Sequence, residues 1–120
     1  MTQLILIIED DSDIADAVEE ILVGEGYGAL RAATGAEAFE LLERHGPPAL
    51  IVLDLLMPGM NGIEFLAALR RDPRVATVAV IVTTASRVEV VPTAQRLLHK
   101  PYDLETLLEV VRELCPLNVV

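Results

Sequence analysis

The chain has no tryptophan and only four aromatic residues, Tyr27, Phe39, Phe65 and Tyr102. Its apolar half (52%) is therefore almost entirely aliphatic. Cationic residues are also scarce, with 9 Lys and Arg against 19 Asp and Glu, a formal charge of −10. That excess repels phosphate backbones, which argues against nucleic acid or an anionic membrane as partner. It suits a basic partner or a site that takes a cation, although the plain account of a bulk charge is solubility. The single cysteine, Cys115, excludes an internal disulfide and gives no sign of an oxidising compartment. It reads as a structural or incidental thiol. Met1-Thr2-Gln3 places no basic residue before the first apolar run, unlike a signal peptide. No uninterrupted apolar run reaches membrane-spanning length. The expectation is a soluble, cytoplasmic protein with no membrane contact.

What is present is enough apolar residue for a core, at a length of 120 residues that suits one domain. The expected domain is 1–120, with its core over about 3–114 and an apolar tail at 115–120. Short β-branched runs alternate with helical patterns. Leu4 to Ile8 and Leu50 to Leu53 are continuous apolar runs, as in strands covered on both faces. Residues 28–32 form a weaker second strand. Residues 78–83 form a fourth strand, ending in Thr83-Thr84, and Leu97-Leu98 a short fifth.

Between them, Ile14, Ala17, Val18, Ile21 and Leu22 recur at helical spacing. Asp11, Ser12 or Asp13 can cap that helix, and Gly24 and Gly26 end it. Thr34-Gly35-Ala36-Glu37 reads as a capping box for a helix that buries Ala38, Leu41 and Leu42. Gly46-Pro47-Pro48 closes it. Ile63, Leu66 and Leu69 mark a third helix that stops near Asp72-Pro73. Asp103 is placed to cap a last helix carrying Leu104, Leu107, Leu108, Val111 and Leu114. Repeated βα units predict a parallel sheet with helices on both faces. The fourth unit is too short for that scheme. Only Ala85 to His99 lie between Thr84 and Lys100, and they include Pro92, Val88, Val90 and Val91. The fourth helix is expected to be shortened, distorted or absent.

The polar residues fall at the strand ends. Glu9 and Asp10 end strand one, Asp54 ends strand three, Thr84 ends strand four and Lys100 ends strand five. In a parallel sheet these ends share one edge, where open α/β sheets bind ligands. Each residue alone reads as a strand-end polar group or a cap, but together they make a site. Three carboxylates repel one another. A hard divalent cation relieves that, and oxygen-only ligands point to Mg²⁺ with bound waters, or to Mn²⁺. A carboxylate beside such a cation can attack a phosphoryl group and form an acyl phosphate. The metal, the Lys100 ammonium, the Thr84 hydroxyl and loop N–H groups can then neutralise the transferred oxygens.

Four segments in this order carry a resemblance. They are Ile7-Ile8-Glu9-Asp10-Asp11, Leu53-Asp54-Leu55-Leu56-Met57-Pro58-Gly59-Met60-Asn61-Gly62, Val82-Thr83-Thr84-Ala85 and His99-Lys100-Pro101-Tyr102. The sequence resembles the receiver domain of two-component response regulators over roughly residues 3–114. The resemblance implies a flavodoxin-like (βα)₅ fold with strand order 2-1-3-4-5. It implies Asp54 as the acceptor of a phosphoryl group from a histidine kinase or phosphotransfer protein. It implies Mg²⁺ held by Asp10, Asp54 and the Leu56 carbonyl, with Glu9 acting through water. Thr84 would bind the phosphoryl group, and Lys100 would pair with Asp54 or the phosphate. A downstream protein partner or output domain and a homodimer are compatible with it. The Lys100–Pro101 bond would be cis. Within the acidic triplet, Glu9-Asp10 is taken as the site pair and Asp11 as a cap or surface acid. Thr84 is preferred to Thr83 because the family's Thr precedes Ala.

Two features depart from that family. An aromatic residue common three positions before the Lys is Leu97 here, and the fourth βα unit is short. The phosphorylation chemistry reads as intact while the usual readout surface reads as altered. A phosphorylation-independent interaction module is therefore the competing reading. A metal-dependent phosphatase ranks last, because Leu56 stands where such enzymes place a general acid. Gly24 to Gly28 follows a helix and reads as a turn rather than a phosphate loop. His45 and His99 lack metal-ligand spacing. Met57 and Met60 read as loop packing, and Tyr102 as packing against the last helix.

Overall fold

A run that is apolar at every position, such as Leu4–Ile8, needs cover on both faces, and five strands here share one sheet. The computed structural model describes residues 3–57, 59 and 61–117. Pro58 and Met60 of the motif, Met1, Thr2 and residues 118–120 of the tail lie outside the described residues. The strands are β1 (Leu4–Ile8), β2 (Gly28–Ala32), β3 (Leu50–Asp54), β4 (Ala79–Thr84) and β5 (Arg96–His99). The helices are α1 (Ser12–Glu25), α2 (Gly35–His45), α3 (Gly62–Arg71) and α4 (Leu104–Leu114). All neighbouring strands pair in parallel, in the order β2-β1-β3-β4-β5, which is the flavodoxin-like arrangement.

Alternation along the strands divides the core in two. Leu6, Ile8, Ile51, Leu53, Val80 and Val82 face Ala38 and Leu42 of α2 and Phe65, Leu66 and Leu69 of α3. Ile5, Ile7, Leu50, Val52 and Ile81 face Val18 and Leu22 of α1 and Leu107, Leu108 and Val111 of α4. Burying each such Leu, Ile or Val stabilises the fold by about 1.5–3 kcal/mol before chain entropy is charged against it. Among the described residues aromatic packing is confined to one pair, Phe39 and Phe65, with centroids 4.8 Å apart.

The local start signals act as the chain reads, with three differences. Asp11 caps α1, its carboxylate accepting from the N–H groups of Asp13 and Ile14. Thr34 Oγ1 accepts from the Glu37 N–H, but the Glu37 carboxylate reaches back to the Ala33 N–H rather than to Thr34. Asp103 stands at the start of α4 without a side-chain cap bond. Gly24 lies inside α1, and Gly26 ends it at φ 116°, a conformation that costs other residues strain.

The helix expected between β4 and β5 is absent. Residues 85–95 cross from β4 to β5 as an irregular strap, and Val91 (7% exposed) plugs the core where a helix would sit. Val88, Ala94 and Leu97 pack beside it. Arg70 of α3 fastens the strap. Its Nη1 donates to the carbonyls of Ala76 (3.0 Å) and Val78 (2.6 Å). Its Nη2 donates to the carbonyl of Thr93 (2.6 Å) and to Gln95 Oε1 (3.2 Å). Burial lowers the Arg70 pKa, but a guanidinium stays charged, so the four acceptors compensate a desolvated cation.

Candidate functional site

Strand parity decides which side chains meet at the carboxyl edge. Glu9 continues the Ile5–Ile7 face of β1, Asp54 the Leu50–Val52 face of β3, and Lys100 follows Leu98 on β5. All three therefore turn toward the α1/α4 side. Lys100 Nζ lies 2.7 Å from Glu9 Oε1 and 3.4 Å from Asp54 Oδ2. Asp10 stands on the solvent side, exposed, while Glu9 and Asp54 are buried. One carboxylate oxygen from each of Glu9, Asp10 and Asp54 lies within 4.8 Å of the others. The Lys100–Pro101 peptide is cis.

The loops hold the acids in place. The Leu56 N–H donates to Asp54 Oδ1 (3.2 Å), and the Asp11 N–H to Glu9 Oε2 (3.3 Å). Gly62 brings α3 against the end of β3, its N–H donating to the Leu55 carbonyl at 2.6 Å. A Cβ at Gly62 would lie 2.6 Å from Leu55 Cα and 2.9 Å from its carbonyl oxygen, so only glycine fits this approach. Asn61 caps α3 by accepting from the Glu64 N–H at 2.9 Å.

Charge in this cluster is unbalanced. Burial pushes the Glu9 carboxyl up from 4.5 to about 7; the Lys100 bond opposes this, and the neighbouring Asp54 adds to it. Burial pulls the Lys100 ammonium down, but the bond to Glu9 and the charges of Asp54 and Glu9 outweigh it, and the net shift is upward. Tyr102 beside them is raised by burial and then by Glu9. One ammonium thus faces three carboxyl groups. A hard cation would find oxygen donors only, already gathered, with an exposed side for water. The residues fit such an ion.

Thr84 is placed differently. It is fully buried and its parity matches Val80 and Val82, the face opposite that of Asp54. Its hydroxyl donates to Ser86 Oγ (2.9 Å) and accepts from the Ser86 N–H (3.0 Å). Ser86 is a residue that sequence reasoning passed over; its one signal was a hydroxyl two positions after Thr84. Met57 is buried in the core on the α2/α3 side, and Tyr102 packs with Leu104 and Leu108. His45 and His99 stay apart from the acids. His99 Nε2 instead contacts the Val88 carbonyl at 2.7 Å. An apolar groove of about 500 Å³ opens beside Lys100, walled by Ile14, Ala17, Pro101, Tyr102 and Leu104. No described helix is long and apolar enough to cross a membrane.

Comparison with known proteins points to one family. The model of the response regulator receiver domain matches residues 5–112. The chain is similar to the DNA-binding response regulator MtrA of Mycobacterium tuberculosis, with 37% identity over 84 residues, covering 70% of this chain and 36% of MtrA. It spans about a third of the length of several such relatives. It is also similar to sporulation initiation phosphotransferase F of Bacillus subtilis, 29% identical over 124 aligned positions and 98% of each chain. A chemotaxis response regulator of Vibrio cholerae superposes with a TM-score of 0.85 at 26% identity, over 95% of this chain and 99% of the other. With a match running from β1 into α4 and five parallel strands in the same order, this chain belongs to the response regulator receiver domain family.

Proposed function

We propose that the chain is a phosphoacceptor switch in which Asp54 takes a phosphoryl group from a histidine kinase or phosphotransfer protein. The observation that carries this is the convergence of Glu9, Asp10 and Asp54 within 4.8 Å, with Lys100 bonded to Glu9 and beside Asp54. An Asp54 oxygen attacks phosphorus in line with the phosphoramidate bond of a phosphohistidine. The P–N bond breaks, the P–O bond of a mixed anhydride forms, and the departing imidazole takes up a proton. Bound Mg²⁺, or Mn²⁺, supplies neutralisation of phosphoryl charge. Asp10, Asp54 and the Leu56 carbonyl would hold it directly, and Glu9 through water. Lys100 leaves its pair with Glu9 to neutralise a phosphoryl oxygen. Thr84 would have to turn its hydroxyl from Ser86 round the carboxyl end of β4 to bind another such oxygen. A protein phosphoryl donor would find packing area in the apolar groove beside Lys100.

The test is labelling by acetyl phosphate. It should require Mg²⁺ and disappear in Asp54→Asn; no labelling at saturating Mg²⁺ refutes the proposal. A downstream protein or output domain would read the state, in the cytoplasm, with residues 1–120 acting as one receiver unit. A second reading rests on the absent fourth helix and on Leu97: a receiver-like interaction module indifferent to phosphate. It predicts partner binding unchanged by beryllofluoride and by Asp54→Asn. A change in affinity with either removes it.

A further inference from the structure

We infer that Asn61-Gly62 is a deamidation site held closed by the fold, so that opening of the loop between β3 and α3 sets its rate. An asparagine followed by glycine is open to attack on its own side chain, because no Cβ shields the next amide nitrogen. This chain has two asparagines, and the other, Asn118, precedes Val119, whose branched side chain obstructs that attack. Asn61 is exposed, so water reaches its side chain.

Packing keeps the glycine in place. A Cβ at position 62 would lie 2.6 Å from Leu55 Cα, and Asn61 before it is the cap of α3. The two residues that seat α3 against β3 are therefore also the reactive dipeptide. The reaction needs only water. The Gly62 nitrogen bonds to Asn61 Cγ, the Cγ–Nδ2 bond breaks, and ammonia leaves with the Gly62 amide proton. Water then opens the succinimide at either carbonyl, leaving aspartate or isoaspartate at position 61.

Three bonds oppose the first step. Gly62 is buried, and its N–H donates to the Leu55 carbonyl at 2.6 Å, which hides the proton that a base must remove. Asn61 Oδ1 accepts from the Glu64 N–H at 2.9 Å, and Asn61 Nδ2 donates to Glu64 Oε1 at 2.8 Å. Both ends of the side-chain amide are thus held over the first turn of α3. Attack requires these bonds to open, so the reaction draws on the opened loop and not on the closed one. Isoaspartate routes the main chain through the side-chain carbon, which lengthens the loop after Asp54 and removes the cap.

The test ages the purified chain in mildly alkaline buffer, folded and in urea. Peptide mapping by mass spectrometry locates the mass change, and enzymatic carboxyl methylation counts isoaspartate. In urea the change should appear at Asn61, with isoaspartate the larger product. In the folded protein it should be at least about tenfold slower. Glu64→Ala removes the Nδ2 acceptor and should raise the folded rate severalfold. Glu64→Gln keeps that acceptor and should restore it, while all three proteins age alike in urea. Asn61→Ser keeps a cap without an amide and should abolish the change. Equal rates folded and in urea overturn the inference, as does a folded rate that Glu64→Ala leaves unmoved. A mass change that persists in Asn61→Ser also overturns it, by placing the reaction elsewhere.

Discussion

Replacing Glu9 by Gln should make the metal-free protein more stable at neutral pH while leaving it little changed in acid. The folded protein holds the Glu9 proton more tightly than the unfolded chain does, with burial as the main cause. Between 4.5 and about 7 the native state therefore binds more protons than the unfolded one. Stability from this group is greatest below 4.5 and is lost as pH rises to about 7. The full shift corresponds to about 3 kcal/mol. Water reaching the cluster on the exposed Asp10 side reduces that to about 2 kcal/mol. Gln keeps one oxygen for Lys100 and puts its NH₂ where Glu9 Oε2 accepts from the Asp11 N–H, so the substitution removes the buried charge at the cost of that one bond, a cost that does not vary with pH. The assay is urea unfolding of both proteins in chelator across pH 5 to 8, a range set by the Glu9 shift. The stability difference should grow by about 2 kcal/mol toward Glu9→Gln, or about 1 M in the urea midpoint. A difference that stays constant with pH would refute the claim that Glu9 is held above its usual range.

Three further outcomes follow from the geometry. Millimolar Mg²⁺ should raise the thermal midpoint of the native sequence and raise it less in Asp54→Asn, because binding favours only the folded state; an unmoved midpoint in differential scanning fluorimetry argues against an ion at this cluster. Gly62→Ala should cost about 1–3 kcal/mol in urea unfolding, since the methyl would meet Leu55 backbone at 2.6 Å. It should also lower the rate of acetyl phosphate labelling by displacing the loop after Asp54. Arg70→Met keeps the stem but leaves four acceptors without their donor, so hydrogen exchange at residues 85–95 should speed up. The loss should be about 2–3 kcal/mol, with the exchange of β1 and β3 amides tracking global stability only.

Periodicity carries far in this chain because its strands and helices are local events. The continuous run at Leu50–Leu53 reports a strand covered on both sides, whatever surrounds it. Asp11 and Thr34 act as caps because the N–H groups they accept from lie two or three residues away. The absent fourth helix was legible too, since Pro92 and three valines leave too few residues for helix and loops. Motif order also named Glu9, Asp10, Asp54 and Lys100, whose gathering at one edge follows from parallel strands alone.

Tertiary structure decided what depends on partners distant in sequence. Lys100 pairs most closely with Glu9, 91 residues away, rather than with Asp54; small differences in side-chain reach across the sheet edge set that choice. Asp103 had the composition of a cap and does not act as one. Arg70 reads in sequence as a surface cation ending a helix, yet it is the clamp that holds the strap where a helix is missing. Its role in the strap exists because the crossover is too short to satisfy the Thr93 carbonyl by helix formation.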